Sequence, residues 1–120
     1  MDLNFFKKTR ILDGGMGQEL LARGMKPNGT LWSANALLNS DYHKLLLDTH
    51  LDFVKAGAEI IVTATFTTRR NRLRDNNIED KFEYLNKKAG EIAQKVKNMQ
   101  TGDQKDLISE LSESPDSIYM

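Results

Sequence analysis

The clearest pattern along the chain is a helical spacing of apolar residues at about positions 41–56. These residues recur mostly at three- and four-residue steps, as one face of an amphipathic helix requires, and they are Leu46, Leu47, Leu51, Phe53 and Val54. Asn39 or Ser40 can cap the start of this helix, because either side chain can accept a hydrogen bond from a free backbone amide. Gly57 follows where a helix commonly ends on a left-handed residue.

A second long helix is predicted over roughly residues 78–99. Its apolar face consists of Phe82, Leu85, Ala89, Ile92, Ala93 and Val96. A shorter helical stretch is predicted over 18–23, where Gly24 stops it. Residues 25–31 contain Pro27, Asn28 and Gly29, a composition that is typical of a loop.

Two segments have the composition of extended strands, residues 9–13 and residues 58–66. The second is rich in β-branched residues and almost continuously apolar, which favours a parallel strand covered on both faces. Leu107 and Ile108 could begin a third strand. The whole pattern predicts an α/β chain with the order β-α-β-α-β, in which the helical crossovers are right-handed.

Composition limits the classes of function. The chain has 120 residues, enough for one modest domain, and its 17 basic and 17 acidic residues give a formal net charge of zero. The balanced charge argues against recruitment of nucleic acid or an anionic membrane. No apolar run approaches the roughly 18–20 residues of a membrane span, and the first ten residues lack the apolar centre of a signal peptide. We therefore expect a cytoplasmic protein.

Cysteine is absent, which excludes disulfides, thiol catalysis and thiolate metal ligation within this chain. His43 and His50 are too few for a zinc site unless carboxylates join them. They lie about 10.5 Å apart along one predicted helix, too far to share an ion. For His50, a packed or hydrogen-bonded role inside the helix is favoured over a catalytic one.

Candidate chemistry centres on Asp13, which ends the first predicted strand and is followed by Gly14, Gly15 and Gly17. Glycine permits positive φ angles and lets a ligand approach the backbone closely. In parallel α/β folds, ligands bind at the carboxyl ends of strands. A tight strand-to-helix turn with a local Asp contact explains the residues equally well.

This glycine-rich turn matches neither of two common nucleotide-binding motifs. Leu20 stands where the dinucleotide fingerprint needs glycine or alanine, and no Gly-Lys-Ser/Thr follows for a phosphate-binding loop. Thr63 and Thr65 lie near the carboxyl end of the second predicted strand, which is the same end of the predicted parallel strands as Asp13. Threonine also simply suits strands, so β-propensity alone could explain both.

Trp32 is the sole tryptophan and has two interpretations. Sealing the core is favoured because of its large apolar area, and lining a pocket with its indole face is the alternative.

The only basic cluster consists of Arg69, Arg70, Arg72 and Arg74. No aromatic residue is interleaved for base stacking, and acidic residues follow at once, which favours a solvated helix end with local ion pairs.

Four segments together resemble the homocysteine S-methyltransferase family. They are residues 11–20 (Ile-Leu-Asp-Gly-Gly-Met-Gly-Gln-Glu-Leu), 31–34 (Leu-Trp-Ser-Ala), 50–58 (His-Leu-Asp-Phe-Val-Lys-Ala-Gly-Ala) and 61–66 (Ile-Val-Thr-Ala-Thr-Phe). Their order and spacing are similar to the N-terminal region of that family through about residue 97. Residues 107–119 look like a degraded version of the family's third strand and the loop after it.

This resemblance implies a (β/α)8 TIM barrel, of which the chain would hold an incomplete N-terminal part. Residues 1–120 would form a partial homocysteine-binding domain, with residues 100–120 as a divergent tail. The implied reaction transfers a methyl group to the sulfur of homocysteine and gives methionine. The complete family domain binds zinc through cysteines on later strands, and this chain has none. We therefore expect no zinc to bind this chain, and we expect the chain alone to be a truncated and inactive form.

The resemblance also assigns site residues by position. Asp13 matches the carboxylate that receives the amino group of homocysteine, while Gly14 and Thr63 match positions that contact the amino acid's polar end. Trp32 matches an aromatic residue near the methyl donor. Ala64 departs from the asparagine common in the family. No catalytic or metal-binding residue is assigned within this chain.

Two alternatives remain from other classes of protein. The chain could be a non-catalytic module whose open sheet edge pairs with another chain, including a second copy of itself. It could also bind a phosphate-bearing ligand at the turn formed by residues 14–17.

An incomplete barrel should leave the apolar faces of residues 60–66 and of both long helices partly exposed.

Overall fold

The computed structural model describes residues 3–100. Five α-helices lie in this part of the chain: α1 (Met16–Ala22), α2 (Asn35–Leu38), α3 (His43–Lys55), α4 (Arg70–Asp75) and α5 (Phe82–Asn98). Short 3₁₀ turns at Leu3–Lys7, Trp32–Ala34, Ser40–Tyr42 and Glu79–Lys81 accompany them. The predicted helices over 18–23, 41–56 and 78–99 are confirmed as α1, α3 and α5.

Helix α3 ends as its sequence predicts, but it does not begin so, because its N-cap is Tyr42, which makes no side-chain capping bond. The Asn39 side chain accepts a hydrogen bond of 3.0 Å from the Asp41 amide and caps the 3₁₀ turn that leads into the helix. At the other end, Gly57 has a φ of +117°. Its amide donates to the Val54 carbonyl, and the Ala58 amide donates to the Phe53 carbonyl, both at 3.0 Å. This pair of bonds is a Schellman motif, which satisfies the last carbonyls of the helix.

The core lies between the helices. Helix α3 packs against α1, α2 and α5, and the largest cluster of buried side chains includes Leu20, Leu37, Leu46, Leu73 and Leu85. A smaller cluster joins Val54 of α3, Ile61, and Ala93 and Val96 of α5. The spacing of these residues along α3 and α5 is the spacing from which the helices were predicted, since one stripe of each helix faces the core.

The predicted β-α-β-α-β pattern is wrong for residues 3–100. The two strand candidates meet only at one isolated parallel bridge, between Leu12 and Ile60. Its backbone bonds run from the Ile60 amide to the Ile11 carbonyl (3.1 Å) and from the Asp13 amide to the Ile60 carbonyl (3.0 Å). Beyond the bridge, the Val62 amide donates to the Asp13 side chain at 3.1 Å instead of to a backbone carbonyl. Pairing therefore stops after a single bridge.

Local turns end the second strand candidate. The Thr65 amide donates to the Thr63 carbonyl at 2.7 Å, and the Thr68 amide donates to the Thr65 carbonyl at 3.3 Å. Such short-range bonds turn the chain and remove those amides from any ladder. Helix α4, which the predicted order did not contain, follows directly. The third strand candidate, at Leu107 and Ile108, and the tail from residue 101 lie outside the described residues.

The predicted partial exposure of apolar faces is wrong for most of α5 but right for α3, where Leu47, Leu51 and Phe53 are only partly buried. Ile60 and Ile61 are buried, as are Leu85, Ala89, Ile92, Ala93 and Val96 of α5. Phe66 is exposed, as are Ile11 and Leu12 on the first segment. Helix packing thus covers most of the apolar face of α5 and leaves part of the apolar face of α3 exposed. Within residues 3–100, no helix combines the length and apolar character needed to cross a membrane.

Candidate functional site

A cavity of about 350 Å³ lies where the two extended segments end. Its lining comes from three parts of the chain: Leu12, Asp13, Gly14, Gly15, Met16, Gly17 and Gln18; Trp32 and Ser33; and Val62, Thr63, Ala64 and Phe66. The structure thus brings together Asp13, Gly14, Trp32 and Thr63, the four residues to which the family resemblance assigns substrate contacts. The Leu12–Ile60 bridge is the contact that places the first and third parts side by side.

Asp13 is the ionisable residue in this lining. Its Oδ2 accepts the Val62 amide at 3.1 Å, so the side-chain contact joins two segments and is not a local turn. Burial raises the pKa of this carboxyl to about 6, while hydrogen bonds from the Val62 amide and its own amide lower it. At neutral pH the group is therefore mostly ionised, and it can pair with a cation in the cavity.

The glycines beside Asp13 do not adopt positive φ angles, since the positive-φ glycines of residues 3–100 are Gly24, Gly29 and Gly57. A Cβ atom on Gly14 would lie 2.9 Å from Cε1 of the Phe53 ring on α3. A Cβ on Gly15 would meet nothing within 4 Å, and one on Gly17 would meet Trp32 at 3.6 Å. Only Gly14 therefore needs to be glycine for packing reasons.

Thr63 is far from the glycine turn in the sequence, but in space it lines the same cavity. Its side chain is buried, and its hydroxyl oxygen lies 3.2 Å from that of Thr65. Thr65 is also buried but does not line the cavity. The two threonines that the sequence placed at one site are thus divided between wall and interior.

Trp32 does not seal the core, and that interpretation is wrong. The side chain is 55% exposed and forms a wall of the cavity. It also borders a second cavity of about 210 Å³, lined by Gly17, Gln18, Leu21, Met25, Pro27, Asn28 and Gly29. Its φ is +52°, a left-handed conformation that costs a non-glycine residue about 1–2 kcal/mol. The indole therefore separates two neighbouring cavities and is held there against a backbone preference.

The family model for homocysteine S-methyltransferase matches residues 10–111. This chain belongs to the homocysteine S-methyltransferase family. Among relatives, homocysteine S-methyltransferase 2 of Zea mays is 37% identical over 74% of this chain and 26% of its own length. Homocysteine S-methyltransferase 2 of Saccharomyces cerevisiae is 34% identical over 67% of this chain and 27% of its own length. Selenocysteine Se-methyltransferase of Brassica oleracea var. italica is 41% identical over 69% of this chain and 24% of its own length.

The chain spans about a quarter of the length of these members of the homocysteine S-methyltransferase family. Among solved structures it is similar to the homocysteine methyltransferase MmuM from Escherichia coli in its metallated form. That likeness has a TM-score of 0.66 and 28% identity, and it covers 98% of this chain and 38% of the other. The fold of the described residues is thus a portion of a larger family structure.

Zinc, which the family resemblance implies, does not fit the residues present here. Across residues 3–100, no group of three or more histidine, cysteine, aspartate or glutamate side chains lies close enough to hold a metal ion. His43 is used elsewhere, since its Nε2 lies 2.8 Å from the Leu37 carbonyl.

His50 is fully buried on α3, as the packed interpretation requires. Neither ring nitrogen has a hydrogen-bond partner in the part of the chain that the structure describes. Burial lowers the pKa of the imidazole to about 4, because the charged form would lose its hydration. His50 does not line the cavity.

The arginine cluster forms local contacts, and the ion-pair interpretation is confirmed. Arg74 lies 3.0 Å from Glu79, and Arg70 lies 4.0 Å from the same carboxylate. Arg72 donates to the Thr30 carbonyl at 2.9 Å. Arg69 lies over the Phe66 ring, 5.2 Å from its centroid. These arginines therefore tie α4 to its surroundings.

Sequence reasoning missed Phe66 and Ser33 as cavity-lining residues. The sequence offered a signal for both residues, because Phe66 follows Thr65 and Ser33 follows Trp32. Thr65 and Trp32 had both been named as candidates and lie in the segments that resemble the family. No signal existed for Thr67, whose buried hydroxyl contacts the backbone around Trp32. Such a contact depends on how residues far apart in sequence pack together.

Proposed function

We propose that this chain carries the amino-acid side of a site for methyl transfer to the sulfur of homocysteine, giving methionine. The observation that supports the proposal most is the convergence of Asp13, Gly14, Thr63 and Trp32 on one cavity. Those residues are spread over 51 positions of the sequence, and the resemblance assigns three of them to homocysteine and Trp32 to the methyl donor. A cavity of about 350 Å³ is also within the range of small-molecule sites.

Charge and shape define the proposed roles. The Asp13 carboxylate receives the ammonium group of the amino acid, a charge-assisted contact that half-burial strengthens. Gly14 and Thr63 contact the polar end of the same ligand. The exposed indole of Trp32 faces the methyl donor, since an aromatic face attracts sulfonium and quaternary ammonium groups. The relative named for selenocysteine extends the acceptor class to amino acids with a selenol.

The proposal also concerns what this chain alone does not do. The nucleophile in methyl transfer to sulfur is the thiolate, and an unperturbed thiol has a pKa of roughly 8.5. The described residues form no cluster of three or more metal-binding side chains, and the whole chain contains no cysteine. We therefore propose that the chain by itself binds the amino acid weakly, binds no zinc tightly and forms no methionine.

Calorimetric titration of the purified chain with L-homocysteine tests the proposal. We expect Asp13→Asn to weaken binding by about tenfold or more, which corresponds to about 1.4 kcal/mol for a lost charged contact. Asp48→Asn is the matched control, because Asp48 pairs with Lys44 on the surface of α3. Equal binding by the two variants, or no binding by the unmodified chain, would contradict the assignment.

A second candidate is association without catalysis, which the exposed side chains of Ile11 and Leu12 favour. The segment that carries them pairs with only one neighbour among residues 3–100, at the Leu12–Ile60 bridge. Sedimentation of the chain over a range of concentrations tests this candidate. If a second copy pairs along this segment, Ile11→Lys should return the chain to a monomer, because a charged edge resists strand pairing.

A further inference from the structure

Thr67 is a buried residue whose hydroxyl contacts the backbone on both sides of Trp32. Its Oγ1 donates to the Leu31 carbonyl at 2.6 Å and accepts from the Ala34 amide at 3.0 Å. The Ser33 hydroxyl oxygen lies 3.4 Å away from the same atom. Only 1% of Thr67 is exposed, so water does not compete for these bonds.

The backbone that the Thr67 hydroxyl contacts belongs to the turn in which Trp32 is strained. Trp32 has a φ of +52°, and a bulky residue keeps such a conformation only where its surroundings hold it. The Ala34 amide also donates to the Leu31 carbonyl at 3.0 Å, which closes a tight turn around Trp32. The Thr67 hydroxyl is bonded to both ends of that turn, and it comes from a segment more than thirty residues away.

We propose that Thr67 is a positioning residue that holds Trp32 in its left-handed conformation as the wall between the two cavities. Trp32 and Gly17 line both cavities, and the indole lies 3.6 Å from where a Cβ of Gly17 would be. Release of the turn would let the indole move and would merge or reshape the two spaces. Any effect on binding of a methyl donor rests on the function proposed above, whereas the position of the Trp32 indole does not depend on that function.

Thr67→Val tests the placement, because valine keeps the shape of threonine and removes the hydroxyl. The matched control is Thr68→Val. Thr68 is equally buried, and its hydroxyl oxygen lies 2.7 Å from Asn86 Oδ1 and 3.1 Å from the Thr65 carbonyl, away from the Trp32 turn. Thr67→Ser keeps the hydroxyl and should restore the behaviour of the unmodified chain.

Trp32 reports on its own position, since the chain has no other tryptophan. We expect Thr67→Val to lose most of the near-ultraviolet circular dichroism of the indole and to lower its fluorescence anisotropy, with helical content kept. Thr68→Val and Thr67→Ser should retain both signals. Equal signals in Thr67→Val and Thr68→Val would overturn the proposal. If Thr67→Val does not fold, a slowly exchanging Thr67 hydroxyl proton in the unmodified chain supports the hydrogen bond to the Leu31 carbonyl, and a rapidly exchanging one overturns the proposal.

Ligand binding separates this inference from the proposed function. The probes are L-homocysteine and S-methylmethionine, a sulfonium methyl donor. We expect Thr67→Val to weaken binding of S-methylmethionine more than binding of homocysteine, because only the donor faces the indole. Equal weakening of both ligands would overturn the donor-specific consequence. Failure of the unmodified chain to bind either ligand would contradict the proposed function, and the spectroscopic comparison would still decide the placement of Trp32.

Discussion

The Asp13 carboxylate accepts the backbone amide of Val62 at 3.1 Å, across 49 residues of sequence. In the parallel register set by Leu12 and Ile60, continued pairing would direct that amide to the backbone carbonyl of Asp13. The side chain takes the place of the carbonyl, ends the ladder and leaves the carboxylate at the cavity. One hydrogen bond therefore explains both why the strands are missing and where the charged group of the site lies.

The first prediction concerns pH, because two groups act in opposite directions. His50 has a pKa of about 4 when folded and 6.5 when unfolded, so acidification through this window favours the unfolded state. Asp13 has a pKa of about 6 when folded and 3.8 when unfolded, so acidification from pH 6 to 4 favours the folded state. We expect the two effects to offset each other in the unmodified chain.

Single variants separate the two effects. Relative to the unmodified chain, His50→Leu should gain stability as the pH falls from 6.5 to 4, and Asp13→Asn should lose stability over the same window. Urea unfolding followed by circular dichroism at several pH values measures both slopes. Parallel pH profiles for the three proteins would show that neither pKa is shifted.

The second prediction concerns Gly14. Alanine at this position places a methyl group 2.9 Å from the Phe53 ring, and we expect the free energy of unfolding to fall by about 1–3 kcal/mol. Gly15→Ala is the neighbouring control, since its Cβ meets nothing within 4 Å and its φ of −70° suits alanine. A smaller side chain in Gly14→Ala/Phe53→Leu should recover part of the loss. Equal stability of the two alanine variants would refute the close contact.

The third prediction uses the backbone of Trp32. Glycine is ordinarily less stable than alanine by about 0.5–1 kcal/mol in regular structure. At a φ of +52° the order should reverse, so we expect Trp32→Gly to be more stable than Trp32→Ala by about 1 kcal/mol. Leu21, a half-exposed residue of α1, should show the ordinary order in the same pair of substitutions. Chemical denaturation of the four variants measures both differences.

The fourth prediction concerns Arg10, which makes three contacts with one guanidinium. It donates to the Phe5 carbonyl at 2.7 Å, pairs with Glu59 at 2.8 Å and lies 4.0 Å from the centre of the Phe5 ring. Lysine cannot reproduce this planar arrangement, so Arg10→Lys should lower the free energy of unfolding by about 1 kcal/mol.

The control for Arg10→Lys is Arg74→Lys, since Arg74 pairs with Glu79 on the exposed surface of the molecule. Exposed pairs contribute little, so this variant should change the unfolding midpoint only slightly. A larger loss for Arg74→Lys than for Arg10→Lys would contradict the account of the N-terminal contacts.

The long helices were predictable because their signal is local. The signals for α3 and α5 lie within each helix or directly beside it. They are the apolar spacing of both helices, the Asn39 side chain that caps the turn before α3, and Gly57 at its end. Each of these signals favours a helix independently of what the helix packs against. The family could be recognised for a similar reason, since the matched segments are short runs of sequence in a fixed order. The roles of Asp13, Gly14, Thr63 and Trp32 in binding remain predictions, although all four line one cavity.

The strands were not predictable from composition, because a strand exists only where another segment offers hydrogen bonds along its length. Residues 58–66 have the residues of a strand, yet the Asp13 side chain and the turn at Thr63–Thr65 use amides that a ladder would need. The exposure of Trp32 also depends on distant contacts. Its large area favoured burial, but the Thr67 hydroxyl fixes the turn that directs the indole toward the cavity.

By itself, the sequence determined the long helices and the family, since both depend on short local patterns, and it named four residues that line the candidate site. Only the tertiary structure decided that the extended segments pair once, that Asp13 carries a raised pKa, and that Trp32 divides two cavities. These features arise from contacts between residues some thirty to fifty positions apart. Burial and hydrogen bonding at such contacts are set by packing, which no local pattern encodes.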